Sequence, residues 1–250
     1  MVSCEPRIRL NEPMPDDWKA SALAWIDWVD SGDPSRVHLL DGPLLDLAAP
    51  AGKLVLDIGC GEGRFCRMLE VRGAVAFGVD PVLTFVEQAQ KRGRNNRFTL
   101  GRAEALPFRT HSFDLAVSYL TLIDIPDFRR GIDEIGRVLR PGGGLLIANL
   151  NPFMTTRPYA WEEDSAGSKL YVPVDRYFEE RSHRTQWHGM DVVNYHRPLS
   201  AYFEALLDSG FVLRKYLEPR PTPAAIVECP RLESGLRVPF FHIMQWELPG

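Results

Sequence analysis

The sequence of 250 residues is poor in several features that define whole classes of protein. Its four cysteines, Cys4, Cys60, Cys66 and Cys229, form no Cys-x-x-Cys pair, and no histidine stands at metal-ligand spacing from them. A structural zinc site and a disulfide framework are therefore not expected. No stretch approaches the ~18 consecutive apolar residues of a membrane-spanning helix, and the first residues lack the apolar core of a secretory signal. We therefore expect a soluble cytoplasmic protein with reduced thiols and no membrane partner.

Positive charge is not in excess either. The 29 Lys+Arg residues face 33 Asp+Glu residues, which gives a formal net charge of −4. This balance lacks the basic footprint of proteins that bind nucleic acid or membrane surfaces, so we expect no nucleic-acid partner. With 45% hydrophobic and 25% charged residues, the composition is typical of a globular protein. The length suits one α/β domain over residues 1–250, while the oligomeric state stays unknown.

Short apolar runs alternate with helical patterns through the middle of the chain. The runs cover residues 54–58, 74–79, 98–100, 113–118 and 145–150. Helices are predicted over residues 65–71 and 84–91, and around Ile132, Ile135, Val138 and Leu139. Five strands alternating with helices indicate βαβ units and a parallel sheet.

The flanking segments follow different patterns. In residues 1–50 the sequence predicts an arm over 1–15 that is followed by a helical cap. The first helix of the cap is predicted over 18–29, with Asp16 or Asp17 as its N-cap. A second helix over 39–47 is predicted to be broken at Asp41-Gly42-Pro43. Residues 151–197 are aromatic, charged and aperiodic, and this predicts an insertion that serves as a lid or substrate pocket.

Beyond the insertion, a helix is predicted over 199–207. Strands are predicted over 211–216 and 238–244, joined through a Pro-rich loop. The complete pattern predicts an α/β, Rossmann-like, doubly wound sheet of seven mostly parallel strands. Its last strand is antiparallel, its N-terminal part is a helical cap, and the insertion follows strand 5.

The strongest local signal is the segment Asp57-Ile58-Gly59-Cys60-Gly61-Glu62-Gly63, which joins a predicted strand to a predicted helix. Alternate glycines let the backbone turn tightly and approach a ligand without a clash at Cβ. Asp80 ends the next strand, where a carboxylate can accept hydrogen bonds from both ribose hydroxyls of a nucleoside. A dinucleotide site would favour glycine at position 64, which holds Arg64.

Glycines in the order Gly-x-Gly-x-Gly after an acid resemble motif I of the class I S-adenosylmethionine-dependent methyltransferases. Four further segments resemble that family in the same order along the chain: 78–80, 101–108, 113–118 and 137–143. Segments 195–200 and 209–211 resemble the C-terminal part of its small-molecule branch, the type 11-like methyltransferases. The resemblance covers roughly residues 20–250 and implies S-adenosylmethionine as the cofactor.

The resemblance implies contacts to the cofactor from eleven residues: Asp57, Gly59, Cys60, Gly61, Gly63, Asp80, Pro81, Ala103, Glu104, Ser118 and Tyr119. Of these, Asp57 and the Gly59–Gly63 backbone surround the methionine moiety and the ribose, and Asp80 holds the ribose hydroxyls. Ala103 and Glu104 lie beside the adenine, although Arg102 stands where the family often has an acid. Ser118 and Tyr119 lie under the sulfonium end.

Catalytic and substrate-binding candidates follow from position along the chain. The candidates for catalysis are Asp124, Tyr195 and His196, and those for substrate binding are Trp25, Asn149, Asn151 and Tyr177. Three of the assignments have a structural alternative: Asp124 could cap a helix, His196 could anchor the chain before one, and the cofactor candidate Asp57 could brace the glycine-rich loop. The N-terminal tryptophans and the aromatic side chains of the insertion could pack in the core or face a ligand.

The resemblance implies transfer of a methyl group to O, N or C of a small molecule. A second reading keeps S-adenosylmethionine and converts the cofactor's own amino-acid part by cyclisation or elimination. A third is a non-catalytic regulatory protein that binds the cofactor. The sequence does not identify the acceptor. Substrate choice is expected to depend on residues 151–197 and on the N-terminal cap, the two segments with the least regular sequence pattern.

Overall fold

The computed structural model describes residues 17–93, 97–157 and 161–250. The predicted arm over residues 1–15, together with Cys4, Asp16 and Tyr159, lies outside the described residues. The helices are α1 (Asp17–Asp30), α2 (Asp41–Ala48), α3 (Arg64–Val71), α4 (Leu83–Arg92), α5 (Phe128–Val138), α6 (Leu199–Asp208) and α7 (Pro223–Glu228). The strands are β1 (Leu54–Ile58), β2 (Val75–Asp80), β3 (Phe98–Leu100), β4 (Phe113–Tyr119), β5 (Leu139–Leu150), β6 (Glu162–Glu163), β7 (Lys169–Tyr171), β8 (Arg181–Trp187), β9 (Met190–His196), β10 (Val212–Leu217) and β11 (Phe241–Glu247).

Seven strands form one sheet in the order β10-β11-β5-β4-β1-β2-β3. The strands β1 to β5 pair in parallel, whereas β11 runs antiparallel to both β5 and β10. The predicted fold, including the antiparallel last strand, is confirmed. The strand order reverses between β1 and β4, and in such sheets ligands bind in the crevice at that point, beyond the carboxyl ends of the strands.

Both faces of the sheet are covered, so its central strands are apolar on both sides. On one face, Leu44 of α2 and Leu69 of α3 join Val117 of β4 in a buried cluster. On the other face, Ile132 of α5 and Tyr202 of α6 pack against the sheet in a second cluster. The two layers hold the strand ends, and therefore the crevice, in a fixed place.

The N-terminal cap is helical, as predicted, but its second helix is not broken where the sequence suggested. A π-helical turn, Arg36–Leu40, continues directly into α2. Pro43 falls in the first turn of α2, directly after the π-helical turn, and the helix continues through it. The predicted break at Asp41-Gly42-Pro43 was therefore wrong.

The insertion contains two hairpins, β6–β7 and β8–β9. The β8–β9 hairpin packs against α1, where the backbone N–H of Asp191 donates to Ser21 Oγ at 3.1 Å. The connection from β10 to β11 was predicted as a loop, but it contains α7 and the short helix Pro230–Leu236. Among the described residues, no helix combines the length and apolarity needed to cross a membrane.

One buried histidine lies in the sheet itself. His242 of β11 is fully buried, stacks on Tyr216 and has its Nδ1 3.1 Å from Asn151 Oδ1. Burial lowers the pKa of His242 to about 4, against an ordinary value of 6.5. The unfolded chain therefore binds a proton here at mildly acidic pH while the folded protein does not, and the folded state loses stability as the pH falls below about 6.5.

We predict that His242→Gln reduces this acid sensitivity. Because other buried groups titrate with the opposite sign, the informative quantity is the difference in unfolding free energy between wild type and variant. Between pH 7.5 and pH 5 the wild type should lose about 2 kcal/mol more than the variant. Urea denaturation at the two pH values measures this, and a difference that does not change with pH would contradict the buried neutral histidine.

Candidate functional site

A cavity of about 470 Å³ opens at the carboxyl ends of β1, β2 and β4. Its floor comes from the glycine-rich loop, Asp80 and segments 101–104 and 119–121. Its roof comes from tryptophans of α1 and from the β8–β9 hairpin. The volume lies in the range of small-molecule sites.

The glycine-rich loop has a geometry that favours glycine at each of its three glycine positions. Gly59, Gly61 and Gly63 have φ values of 69°, 53° and 80°. A Cβ on Gly59 would come within 2.3 Å of the Thr121 side chain, and one on Gly63 within 2.8 Å of Phe98. The predicted ligand-binding turn therefore packs closely against neighbouring segments. A larger residue at Gly59 or Gly63 would shift the cavity floor.

Asp80 joins the loop to the next strand. Its carboxylate accepts a hydrogen bond from the Gly61 N–H at 2.9 Å and another from the Val82 N–H at 2.9 Å. Burial raises the pKa of Asp80 to about 6, and the two backbone bonds oppose that rise. Because a carboxylate has about four acceptor sites, it can receive ligand hydroxyl groups in addition to these two donors.

Asp57 faces a smaller cavity of about 40 Å³ that lies beside the first and shares Gly59 and Gly61 with it. Cys66 Sγ donates to Asp57 Oδ2 at 3.6 Å, whereas Oδ1 is buried and has no partner among the described residues. Burial raises the pKa of Asp57 to about 7. A buried, unpaired acceptor is costly unless a ligand supplies the donor, which favours contact with a ligand over bracing of the loop.

Arg36 is a site residue that the sequence analysis missed. It lines both cavities, and its guanidinium carbon lies 4.9 Å from the Trp25 ring and 4.3 Å from the Tyr119 ring. Its Nε lies 3.4 Å from Asp33 Oδ2 and makes no hydrogen bond within the described residues. Nothing in the local sequence marks it, because the rings that hold it come from α1 and β4.

Tyr119 lines the cavity, but its hydroxyl is occupied. It donates to Asp41 Oδ1 at 2.9 Å, and Arg64 donates to both oxygens of the same carboxylate at 2.9 and 2.5 Å. This network ties the helical cap to the glycine-rich loop. Ser118 is fully buried and does not line either cavity, so its predicted place under a ligand is not supported by its position.

Asp124 lies at the edge of the large cavity, on the short helical turn Leu122–Asp124 that follows β4. Asn194 of β9 donates to Asp124 Oδ1 at 2.6 Å, and Trp18 of α1 also donates to this carboxylate. Burial raises the pKa of Asp124 to about 7. The helix-cap alternative does not hold, because Asp127 is the residue that caps α5.

The other two catalytic candidates do not reach the cavity. His196 is fully buried, with Nδ1 2.7 Å from Thr155 Oγ1 and Nε2 2.8 Å from the carbonyl oxygen of Tyr177. Both ring nitrogens are thus engaged within the protein, and His196 ties the start of the insertion to its end. Tyr195 does not line the cavity either, so we correct both assignments to structural ones.

The predicted substrate residues divide in the same way. Trp25 lines the cavity, whereas Asn149, Asn151 and Tyr177 do not. The amide of Asn151 donates to carbonyl oxygens at the start of β11, at 2.9 and 3.2 Å, and the Tyr177 hydroxyl accepts from the Leu199 N–H at 3.1 Å. Asn151 and Tyr177 therefore join elements of the fold, whereas the Asn149 side chain accepts from the N–H of its neighbour Leu150 at 3.1 Å.

Most cofactor predictions fall on the cavities. The large cavity includes Gly59, Gly61, Asp80, Pro81, Ala103, Glu104 and Tyr119. The small one adds Asp57 and Cys60, while Gly63 lies behind the loop against Phe98. Trp187, one of the aromatic side chains of the insertion that could pack in the core or face a ligand, lines the cavity. Lining residues that the sequence analysis missed are Asn194 of β9, Phe241 of β11 and Phe240 directly before it.

Comparison with known proteins shows the family of this chain. Residues 56–147 match the family model described as a methyltransferase domain. The chain is 31% identical over 200 residues to phthiotriol/phenolphthiotriol dimycocerosates methyltransferase of Mycobacterium leprae, covering 75% of this chain and 73% of the relative. The chain belongs to the class I S-adenosylmethionine-dependent methyltransferases.

Two further similarities agree with this placement. An S-adenosylmethionine-dependent methyltransferase from Mesorhizobium loti superposes with a TM-score of 0.74 at 30% identity, over 87% of this chain and 99% of that one. Malonyl-[acyl-carrier protein] O-methyltransferase of Salmonella typhimurium is 35% identical over 113 residues, which is 45% of each protein. The methyltransferase reading is thereby confirmed, and its cofactor is S-adenosylmethionine.

The side chains of the site fit that cofactor. Its α-amino acid part carries one positive and one negative group, and the small cavity offers Asp57 and Arg36, each with an unpaired polar atom. Its ribose carries two adjacent hydroxyl donors, and Asp80 lines the large cavity between the loop and the 101–104 segment. The site therefore has complementary charged groups for the amino-acid part and for the ribose of the ligand.

We predict that Asp80 makes cofactor binding pH-dependent. A protonated Asp80 loses acceptor capacity, and because its pKa is raised to about 6, affinity should increase as the pH rises from 5 to 7. Asp80→Ala should weaken binding by roughly 1–3 kcal/mol at pH 7.5, as for a broken buried polar pair. Calorimetry with S-adenosylhomocysteine measures both effects.

The matched control for this experiment is Asp46→Asn, which removes an exposed carboxylate on α2. It should bind like the wild type at each pH. Unchanged affinity in Asp80→Ala would remove Asp80 from the ribose site.

Proposed function

We propose that this methyltransferase transfers a methyl group to a hydroxyl oxygen of a small, largely apolar molecule, with Asp124 as the general base. The observation that carries the proposal is the Asp124 carboxylate, which lines the cavity and is held by donors from α1 and β9. The enclosed roof of α1 and β8–β9 favours a small acceptor over a nucleic acid, as does the net charge of −4. We also infer a cytoplasmic location, which the free, buried thiols of Cys60 and Cys66 support.

The acceptor part of the cavity lies beyond the floor that the cofactor needs. Its walls carry Leu150 at the end of β5, Phe240 and Phe241 at the start of β11, and Trp28 and Trp187 from the roof. Such walls favour flat or apolar molecules, which gain from burial against aromatic rings. The arginines that line the cavity are Arg36, Arg102 and Arg231, and within the described residues none of them is a hydrogen-bond partner of Asp124.

Asp124 has the arrangement of an oriented base. Asn194 and Trp18 hold its carboxylate by donating hydrogen bonds from two different elements, which limits its rotation. Its raised pKa makes it a stronger proton acceptor than an ordinary carboxylate while it remains largely ionised just above neutral pH. It would accept the hydroxyl proton as the acceptor oxygen becomes nucleophilic.

The bound cofactor supplies a methyl group that a sulfonium already makes electrophilic, so the protein contributes mainly orientation and water exclusion. Arg36 would hold the carboxylate of its amino-acid part and Asp57 the ammonium group. The Trp18, Trp25 and Trp187 rings pack edge to face over the cavity and exclude water. The Salmonella typhimurium relative is named as an O-methyltransferase, which agrees with an oxygen acceptor.

The role of Arg36 gives a prediction that does not need an acceptor. Arg36→Gln should weaken S-adenosylhomocysteine about tenfold to a hundredfold, the range of one charge-assisted hydrogen bond. It should leave the affinity for 5′-methylthioadenosine unchanged, because that nucleoside lacks the amino-acid part. Asp80→Ala, by contrast, should weaken both ligands, and equal losses in Arg36→Gln would contradict the assignment.

The role of Asp124 predicts both a pH profile and an acceptor preference. With isotopically labelled S-adenosylmethionine, a panel of phenols, matched anilines and matched benzoates should be methylated preferentially at the phenolic oxygen. The value of kcat/KM should rise with pH through about 7, because only ionised Asp124 accepts a proton. Asp124→Asn should lower kcat by about 10² to 10⁴ and leave S-adenosylhomocysteine binding within threefold.

Asp208→Asn, which removes an exposed carboxylate at the end of α6, is the control and should behave like the wild type. Full activity in Asp124→Asn would exclude the proposed base. Transfer to the anilines alone would exclude the oxygen acceptor.

A further inference from the structure

The segment that carries Asp124 is not held by a strand or a long helix. It leaves β4 through Leu120, whose φ is 58°, and then forms the short helical turn Leu122–Asp124. The first regular element after it is α5, which begins at Phe128. A proton acceptor on such a connection needs supports from elsewhere in the fold, because a shift of about 1 Å costs much of the rate.

Arg197 supplies three of these supports from the end of the insertion. Its side chain is 3% exposed, and its guanidinium donates to the carbonyl oxygens of Leu122 at 2.9 Å, Ile125 at 2.5 Å and Pro126 at 3.0 Å. The three acceptors lie on both sides of Asp124. The guanidinium therefore fixes the backbone that carries the carboxylate without touching the carboxylate itself.

The geometry requires the planar fork of arginine. The guanidinium carbon lies 4.4 Å from the Phe128 ring and 4.8 Å from the Tyr195 ring, so two aromatic side chains set its plane. A lysine ammonium can occupy the same position but cannot serve three carbonyl groups in that plane while packing on the rings. Asn194, which donates directly to Asp124, lies three residues earlier on the same stretch of chain.

We propose that Arg197 is a positioning residue for methyl transfer, which holds the Leu122–Pro126 backbone so that Asp124 faces the acceptor. This rests on the proposed role of Asp124. The end of the insertion, which carries Asn194 and Arg197, therefore positions the proton acceptor, while the rest of the insertion contributes to the lid. Cofactor-binding residues on β1 and β2 do not depend on Arg197.

Three variants distinguish the effect of the guanidinium hydrogen bonds on the position of Asp124 from the effect of the positive charge. Arg197→Lys keeps the positive charge and loses the fork, whereas Arg197→Met loses both. The control is Arg129→Lys, an exposed arginine 4.5 Å from the same Phe128 ring that pairs with Glu180 and makes no bond to the Leu122–Pro126 carbonyl groups. Each variant is first shown to bind S-adenosylhomocysteine within threefold of the wild type.

Activity is then measured against pH, with the phenol of the acceptor panel that the wild type turns over fastest. Arg197→Lys should lower kcat about tenfold to a hundredfold with the midpoint of the acidic limb unchanged. Arg197→Met should lower kcat at least as much and move that midpoint to higher pH. Burial and Asp80 raise the pKa of Asp124, and the positive charge of Arg197 opposes them. Arg129→Lys should leave both quantities unchanged.

The rate of amide hydrogen exchange in residues 121–127 can be measured without a methyl acceptor. Exchange should accelerate at least tenfold in both Arg197 variants, and not in Arg129→Lys. Wild-type kcat and exchange in Arg197→Lys would overturn the positioning role. If Asp124→Asn is inactive in that case, the proposed base survives; if Asp124→Asn is fully active, the base and the positioning role both fail.

Discussion

The active site depends on a turn that brings the end of β1 against the end of β2. The N–H groups of Gly59 and Cys60 both donate to the carbonyl oxygen of Val79, at 2.8 and 3.1 Å, and the Gly61 N–H donates to Asp80. These bonds require left-handed backbone at alternate positions, which glycine adopts without strain. The same turn sets the cavity floor and places Asp80 in it.

Around that floor, the fold gathers buried charges that are incompletely paired. Asp57, Asp80 and Asp124 all have raised pKa values, and burial is the main cause in each case. A cofactor with a sulfonium and an ammonium group brings positive charge to a site of this kind, so the same groups that cost stability in the free protein favour the ligand. Arg36 adds a positive charge beside them, where we propose that the carboxylate of the cofactor binds.

The roof is built from segments that are far apart in the sequence. The Trp28 ring of α1 stacks on His188 at the tip of the β8–β9 hairpin, with centroids 3.7 Å apart, and Arg231 lies over the same ring. Asp124 receives donors from α1 and β9, so the helical cap and the insertion meet at a residue carried by the sheet. Substrate choice therefore depends on the packing of three separate segments.

This arrangement explains what the sequence could and could not predict. The strands and the glycine-rich turn follow from local patterns, since apolar runs and alternate glycines each specify their own geometry. Arg36, Asn194 and Arg197 could not be predicted, because their roles come from rings and carbonyl groups supplied by distant elements. His196 and Asn151 were misassigned for the same reason, as their polar atoms are used within the fold.

A crystal structure with S-adenosylhomocysteine would show the orientation of the ligand in the cavity, on which the roles of Asp80, Arg36 and Asp124 all depend. We expect the ribose hydroxyls on Asp80, the amino-acid part between Arg36 and Asp57, and the sulfur facing the space that Asp124 borders. A sulfur that faces away from Asp124, or an amino-acid part that does not contact Arg36, would contradict it.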